Sequence, residues 1–177
     1  NIHEAQHSFI SANDNILRYG LKRADPKYLH NRNLSNADST LKNRTILLIG
    51  AGTLGSQVAK LLCAHGAGWG SQGVLSILDR EKLSIENVGR HLLGFQSVNK
   101  PKSAELVKHL TGDFPHLNIK SLSMSLFDYW DNITNDTLVI DATGSQTVAI
   151  SLTEHLRRTG IDPPLFQKKQ WPSCFVA

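Results

Sequence analysis

Cysteine is nearly missing from this chain: there are two in 177 residues, Cys63 and Cys174, and no CxxC pair. Two thiols cannot build a disulfide framework or a four-cysteine zinc site, so an ordinary apolar core has to hold the fold, and a reducing, cytoplasmic setting is expected. No stretch approaches the roughly 18 apolar residues of a membrane span, and the N-terminal region has no apolar run of signal-peptide type. A soluble protein with no membrane partner is the expectation. Charge of one sign is also missing as a block: 19 Lys and Arg against 15 Asp and Glu leave only +4. With few aromatics interleaved among the basic residues, nucleic acid is disfavoured as the main partner. Finally, no GxxxxGK[ST] loop occurs, which excludes P-loop γ-phosphate chemistry.

What is present begins at Ile46. The run Ile46-Leu-Leu-Ile-Gly-Ala-Gly-Thr-Leu-Gly55 passes into an apolar helical stretch, and Gly73-Val-Leu-Ser-Ile-Leu-Asp79 ends on an acid. A short apolar strand, GxGxxG, a helix, a second strand and an acid at its tip form the outline of a nucleotide-binding βαβ unit. The glycines let backbone N–H groups approach a phosphate at the positive end of the helix, and the acid faces a ribose. Gly50, Gly52, Thr53, Leu54, Gly55 and Asp79 are therefore candidate nucleotide-binding residues.

Residues 1–44 read as an arm or linker, polar and Asn-rich, whose Leu17, Leu21 and Leu29 could make a short helical contact with the core. From Thr45 the pattern is regular. We expect strands over 45–49, 74–79, 117–123 and 137–141, and helices over 53–65, 101–111 and 145–158, with a loop running through Arg90. Alternating strands and helices predict an α/β fold, a doubly wound Rossmann-like, mostly parallel sheet with helices on both faces. The helix after the glycines is expected to pack Leu54, Val58, Leu61 and Leu62 on the sheet, with Cys63 on the other side as a small apolar residue rather than a reactive thiol. A chain of this length supports one ordinary domain, here 45–177. It opens on Asn1 rather than Met, stops on strand-like Phe175-Val-Ala177, and changes character abruptly between Pro164 and Trp171, so a truncated or internally gapped domain is expected.

Three further groups follow Asp79: Asn87 and Arg90 in Asn87-Val-Gly-Arg90, then Lys102 at the start of a helix opened by Pro101. A cation at a helix N-terminus is misplaced with respect to the macrodipole, and the arrival of an anion would complete the site; two solvated lysines, Lys100 and Lys102, on a surface turn are the plainer reading. Cations gathered beside a nucleotide suit nucleotidyl transfer, in which negative charge grows around the α-phosphorus as pyrophosphate departs. Thr137-Leu-Val-Ile-Asp141 is another apolar strand ending on an acid, on the ligand side of a parallel sheet. Asp141 is placed either to hold Mg²⁺ or to cap the helix that follows.

The ordered set GAGTLGS, LDREKLSIENVGRH, NKPKSAE and VIDATGS, spanning about residues 44–160, resembles the adenylating domain of ubiquitin-activating enzymes and their bacterial relatives ThiF and MoeB. The resemblance implies ATP- and Mg²⁺-dependent adenylation of the C-terminal carboxylate of a ubiquitin-like protein, with pyrophosphate released and, in many members, an acyl transfer to cysteine or sulfur. It implies Asp79 as the ribose acid, Asn87, Arg90 and Lys102 as nucleotide and phosphate contacts, and Asp141 as the Mg²⁺-associated acid, with Arg90, Lys102 and Asp141 catalytic. A homodimer is implied as well. Departures accompany it: Asp79-Arg80-Glu81 stands where many members have two aspartates, Asn87-Val-Gly-Arg-His91 stands for NxNRQ, and one residue fewer separates Arg90 from Lys102, leaving Lys100 a rival. The Gly-Arg-His form most resembles bacterial members encoded beside conjugation and antiphage systems. Arg18, Arg23 and Arg32 lie where relatives supply an arginine to the dimer partner, without a motif to choose among them. Cys174 lies in the direction of the family's thioester cysteine, with an ordinary structural cysteine as the leading alternative. A nicotinamide-dependent oxidoreductase and a non-catalytic scaffold half of an activating enzyme are the rival readings.

Overall fold

A computed structural model describes residues 22–23, 25–31 and 41–167. Cys174, Arg18, Arg32, Leu17 and Leu21 lie outside the described residues. After a short helix α1 (Pro26–Asn31), the chain forms β1 (Thr45–Ile49), α2 (Thr53–Ala64), β2 (Val74–Leu78), α3 (Lys102–Asp113), β3 (Ile119–Leu122), β4 (Thr137–Asp141), α4 (Gln146–Thr159) and β5 (Leu165–Gln167). The strands lie in the order β3-β2-β1-β4-β5, and every neighbouring pair is parallel. Each expected strand and helix is present within a few residues of its expected bounds. The fifth strand, β5, is only three residues long, too short for periodicity to reveal.

β1 is central, and Ile46, Leu47, Leu48 and Ile49 are all at most 2% exposed. A strand covered on both faces needs no polar alternation, which is why its sequence is a continuous apolar run. Ile46 and Leu48 face one cluster, with α2, α3, Leu75, Ile77, Leu106 and Leu110; Leu47 and Ile49 face the other, with Leu152 and Leu156 of α4. Helices therefore cover both faces of a doubly wound sheet. The order reverses between β1, whose chain goes on to β2, and β4 on its other side. In register, Ile49 lies opposite both Leu78 and Asp141, so the strand ends that precede the glycine loop, Asp79 and Thr143 form one edge. Such a switch point leaves a crevice beyond the carboxyl ends of the strands.

The expected inner face of α2 is corrected by the structure. Leu54 and Leu61 are 39% and 60% exposed, Val58 and Leu62 are half-buried at the flanks, and the inward residues are Gly55, Ser56, Ala59 and Cys63. The cause is the close approach of helix to loop: a Cβ on Gly55 would stand 1.9 Å from the Gly50 carbonyl oxygen. Only small side chains fit under a helix held so near the sheet, so the larger leucines rotate outward. Cys63, expected on the far side, is instead fully buried in the core. Burial, with a smaller contribution from Asp113, pushes its thiol up to about 12, so no reactive thiolate forms there.

Candidate active site

The crevice between β1 and β4 is a cleft of about 330 Å³, at the lower end of the range for small-ligand sites. Gly50, Gly52, Asp79 and Lys102 form part of its wall, with Thr143 and Ser145 from the β4–α4 turn and Met124 to Phe127 beyond β3.

The three glycines of the loop have different reasons to be glycine. Gly50 has φ +91°, and a Cβ there would come within 3.0–3.1 Å of Thr143. Gly55 is excluded from carrying a side chain by the Gly50 carbonyl. Gly52, the N-cap of α2, has φ −76° and ψ −162°, which any residue adopts, and a Cβ on it would meet nothing within 4 Å. The fold does not require glycine at 52; a group lying against the backbone from the cleft would. α2 has no acidic residue in its first turn and no side-chain cap, so the N–H groups at its positive end are available to an anion.

Two side chains clamp this loop through the buried Ala51 peptide. Its N–H donates to Asp79 Oδ2 at 2.7 Å, and its carbonyl accepts from His91 Nε2 at 2.6 Å. His91 Nδ1 accepts from the Leu93 N–H at 3.0 Å, which fixes the neutral tautomer with its proton on Nε2. Burial pushes the imidazole below its ordinary range, with Lys102 acting in the same direction and the bond to Ala51 and the Asp79 charge opposing. Asp79 Oδ1 accepts the Glu81 N–H at 2.7 Å. The acid thus orders the turn after β2 as well as the glycine loop, and each oxygen keeps a lone pair for a further donor.

Lys102 opens α3 yet is only 6% exposed. Its Nζ donates to Glu81 Oε2 at 2.6 Å, and its backbone N–H donates to the Glu81 carbonyl at 2.9 Å. The ammonium beside Glu81 holds that carboxyl below the usual range. Lys100, the rival lysine, is half-exposed and stands 3.8 Å from Glu105, away from the cleft wall. Ser103, fully buried, donates to the Asp79 carbonyl and shares a hydrogen bond with Ser123, fixing the start of α3 against the ends of β2 and β3.

Asp141 is 6% exposed, and its Oδ1 accepts from both the N–H and the hydroxyl of Thr143, at 2.9 and 2.7 Å. The cap of α4 is Ser145, whose hydroxyl accepts from Val148. The two alternatives for Asp141 therefore separate: it orders the turn, and capping falls to Ser145. Its Oδ2 accepts from no described residue, which fits a hard cation held through one carboxylate oxygen and completed by water and phosphate. Among the described residues no three His, Cys, Asp or Glu side chains gather into a cage of their own.

Of the sequence candidates, Asn87, Arg90, Asp141, Thr53, Leu54 and Gly55 stand outside the cleft wall, Asp141 directly behind its neighbours Ala142 and Thr143. Asn87 Oδ1 accepts from the Ser84 N–H and hydroxyl at 3.2 and 3.1 Å in a local capping box. Arg90 is exposed on the same crossover and lowers Glu86, whose carboxyl is held down first by Ser84. Thr53 and Leu54 are exposed at the start of α2, and Gly55 lies beneath the loop rather than in the cleft. Arg23 is exposed and paired with Asp25 at 2.9 Å. The sequence pattern assigns no role to Glu81, His91, Ser103 or the 124–127 wall. Glu81 and His91 stood inside quoted motifs, but partners so distant along the chain leave no periodic signal, and Met124 to Phe127 follow an edge strand with no motif at all.

The model of the ThiF family matches residues 30–154. A Pseudomonas aeruginosa protein named ATP-dependent ubiquitin transferase-like protein Cap2 is 33% identical over 144 residues, covering 77% of this chain and 26% of that protein. Its Vibrio cholerae namesake is 34% identical, covering 80% and 24%. The chain therefore spans about a quarter of the length of these relatives. Among solved structures, Escherichia coli tRNA N6-threonylcarbamoyladenosine dehydratase TcdA in complex with ATP superposes with a TM-score of 0.58 at 21% identity, covering 70% of this chain and 50% of that one. That likeness establishes a shared fold. Together with the ordered motifs, the match over residues 30–154 shows that this chain belongs to the ThiF family.

Proposed function

We propose that the cleft binds ATP with Mg²⁺ and that the protein adenylates the C-terminal carboxylate of a ubiquitin-like protein, or of another protein with an activatable tail, releasing pyrophosphate. The observation that carries this reading is the pairing of Gly52, whose missing side chain leaves open space the backbone does not need, with the Lys102 ammonium buried in the same cleft wall. The P. aeruginosa and V. cholerae relatives named for ATP-dependent ubiquitin transfer support it.

In this reading the triphosphate lies over Gly52 against the first N–H groups of α2, and Asp79 takes the ribose. Lys102 and Arg90 stabilise the charge that grows around the α-phosphorus, while Asn87 completes the contacts from the crossover. Asp141 would hold Mg²⁺ through its Oδ2, and the ion would supply charge neutralisation of the phosphates. No general base is required, because a carboxylate is already ionised at neutral pH and attacks directly. The chain's contribution is alignment and electrostatic stabilisation. A homodimer, a cytosolic setting, a role in antiphage defence and a following thioester step at Cys174 belong to the same proposal.

Exchange of labelled pyrophosphate into ATP, dependent on the partner's free C-terminus and abolished by Arg90→Ala, is the direct test. The placement of Arg90 outside the cleft wall favours a second reading, a nucleotide-holding scaffold without transfer chemistry. ATP binding without exchange, unaffected by Arg90→Ala, would establish that reading instead. A preference for NADH over ATP in a fluorescence titration would establish an oxidoreductase.

A further inference from the structure

A lysine at the first position of a helix faces the positive end of the macrodipole, and one that is 6% exposed has also lost its water. Left alone, such an ammonium would swing out to solvent on its flexible four-carbon stem. Among the described residues one acid opposes that: the Glu81 carboxylate, 2.6 Å from Lys102 Nζ. Glu81 is itself fixed at three points. Its N–H donates to Asp79 Oδ1, its carbonyl accepts the Lys102 N–H, and the next residue, Lys82, bridges to Pro101 in antiparallel fashion. Its side chain is 65% exposed, whereas that of Lys102 is 7% exposed. The pair is therefore asymmetric, with a backbone-anchored acid reaching in to a buried base.

We infer that Glu81 is a positioning residue for the nucleotide site: its carboxylate holds the Lys102 ammonium in the cleft before nucleotide arrives, so that the phosphates meet a cation already in place. Lys102 has three N–H donors and gives one to Glu81, leaving two for phosphate oxygens. The opposing physical effect is that a carboxylate beside a polyanion repels it. If repulsion dominated, removing Glu81 would tighten nucleotide binding; if positioning dominates, removing it weakens binding, and only while Lys102 is present.

The inference rests on the ATP reading above, and two measurements on the full-length protein separate the two. The first needs no nucleotide: brief acetylation with acetic anhydride, read by mass spectrometry, compares Lys102 with half-exposed Lys100. Lys102 is expected to be protected at least about tenfold in the wild type and to approach Lys100 in Glu81→Ala. The second is calorimetric titration with Mg·ATP of the wild type, Glu81→Ala, Lys102→Ala and the double variant. Glu81→Ala is expected to weaken ATP at least about fivefold in the wild-type background and less than about twofold in the Lys102→Ala background. Glu81→Gln, which keeps the shape and a weaker acceptor, should fall between, and it stands in if Glu81→Ala fails to fold. Protection of Lys102 that survives Glu81→Ala, an equal loss in both backgrounds, or tighter ATP binding would each overturn the inference. A wild type that binds no ATP at all would sink the functional reading, and the acetylation result alone would then decide whether Glu81 holds Lys102.

Discussion

Three alanine substitutions in one loop separate what the fold needs from what a ligand needs. In Gly55→Ala the new methyl would stand 1.9 Å from the Gly50 carbonyl oxygen. That neighbour is backbone, and relief requires α2 to move away from β1 by more than an ångström. Overpacking of this kind costs about 3 kcal/mol or more, a large share of the 5–15 kcal/mol that typically holds a domain together. In Gly50→Ala the residue must keep φ +91° and also meets Thr143; the backbone strain alone costs about 1–3 kcal/mol. Gly52→Ala meets nothing. Its shortened unfolded-state entropy stabilises by about 0.4–1 kcal/mol, and alanine's poorer performance at a helix N-cap offsets a similar amount. The net effect on stability is within about 1 kcal/mol, or a shift of Tm of no more than about 4 °C in a chain of this size. Yet the same methyl projects into the space where phosphate should lie against the backbone, and a loss of at least about tenfold in ATP affinity, 1.4 kcal/mol, is expected. Thermal unfolding followed by circular dichroism and calorimetric titration with Mg·ATP measure the two quantities. A Gly52→Ala variant that binds ATP like the wild type, or one that melts as early as Gly55→Ala, would refute the reasoning.

Other consequences follow from the same contacts. His91→Ala leaves the buried Ala51 carbonyl without its donor, and a loss of about 1–3 kcal/mol is expected in denaturant titration. Because burial holds His91 and His116 below their ordinary range, the unfolded chain binds more protons than the folded one once pH falls below about 6.5; stability should then drop with acidity, and the His91 share of that drop should vanish in His91→Ala. Iodoacetamide should leave Cys63 unmodified in the native protein and label it at neutral pH only as the chain unfolds, and prompt native labelling would contradict its burial. Asp141→Asn keeps an oxygen for the Thr143 turn, so the melting temperature should hold within a few degrees while the Mg²⁺ dependence of ATP affinity falls; unchanged Mg²⁺ dependence would remove the metal role.

How much of this was legible in advance depended on whether the determining contact was local. β1 is readable because a strand covered on both faces demands an unbroken apolar run, β2 because its run is apolar except for Ser76 and ends on an acid, and the glycine loop because its spacing is fixed by one turn of chain. Leucine spacing points to the wrong buried face of α2, since it takes size for proximity, whereas Gly55 against Gly50 sets the helix too close for leucine. Asp79 was found as an acid at a strand tip, but its bond to Ala51 joins residues 28 apart in sequence, and the His91 contact with the same peptide spans 40. Lys102 could be singled out as a cation at the wrong end of a helix. That Glu81 is what holds it there depends on how the 81–83 and 99–102 segments pair, which no pattern within either segment reveals.

The central claim is that the anion site of this ThiF-family cleft is the backbone at Gly52 with the Lys102 ammonium beside it. A crystal structure with Mg²⁺ and the non-transferring analogue α,β-methylene-ATP tests it most directly. The account predicts phosphate oxygens within hydrogen-bonding distance of the first N–H groups of α2 and of Lys102 Nζ; an ordered nucleotide whose phosphates lie away from both would contradict it.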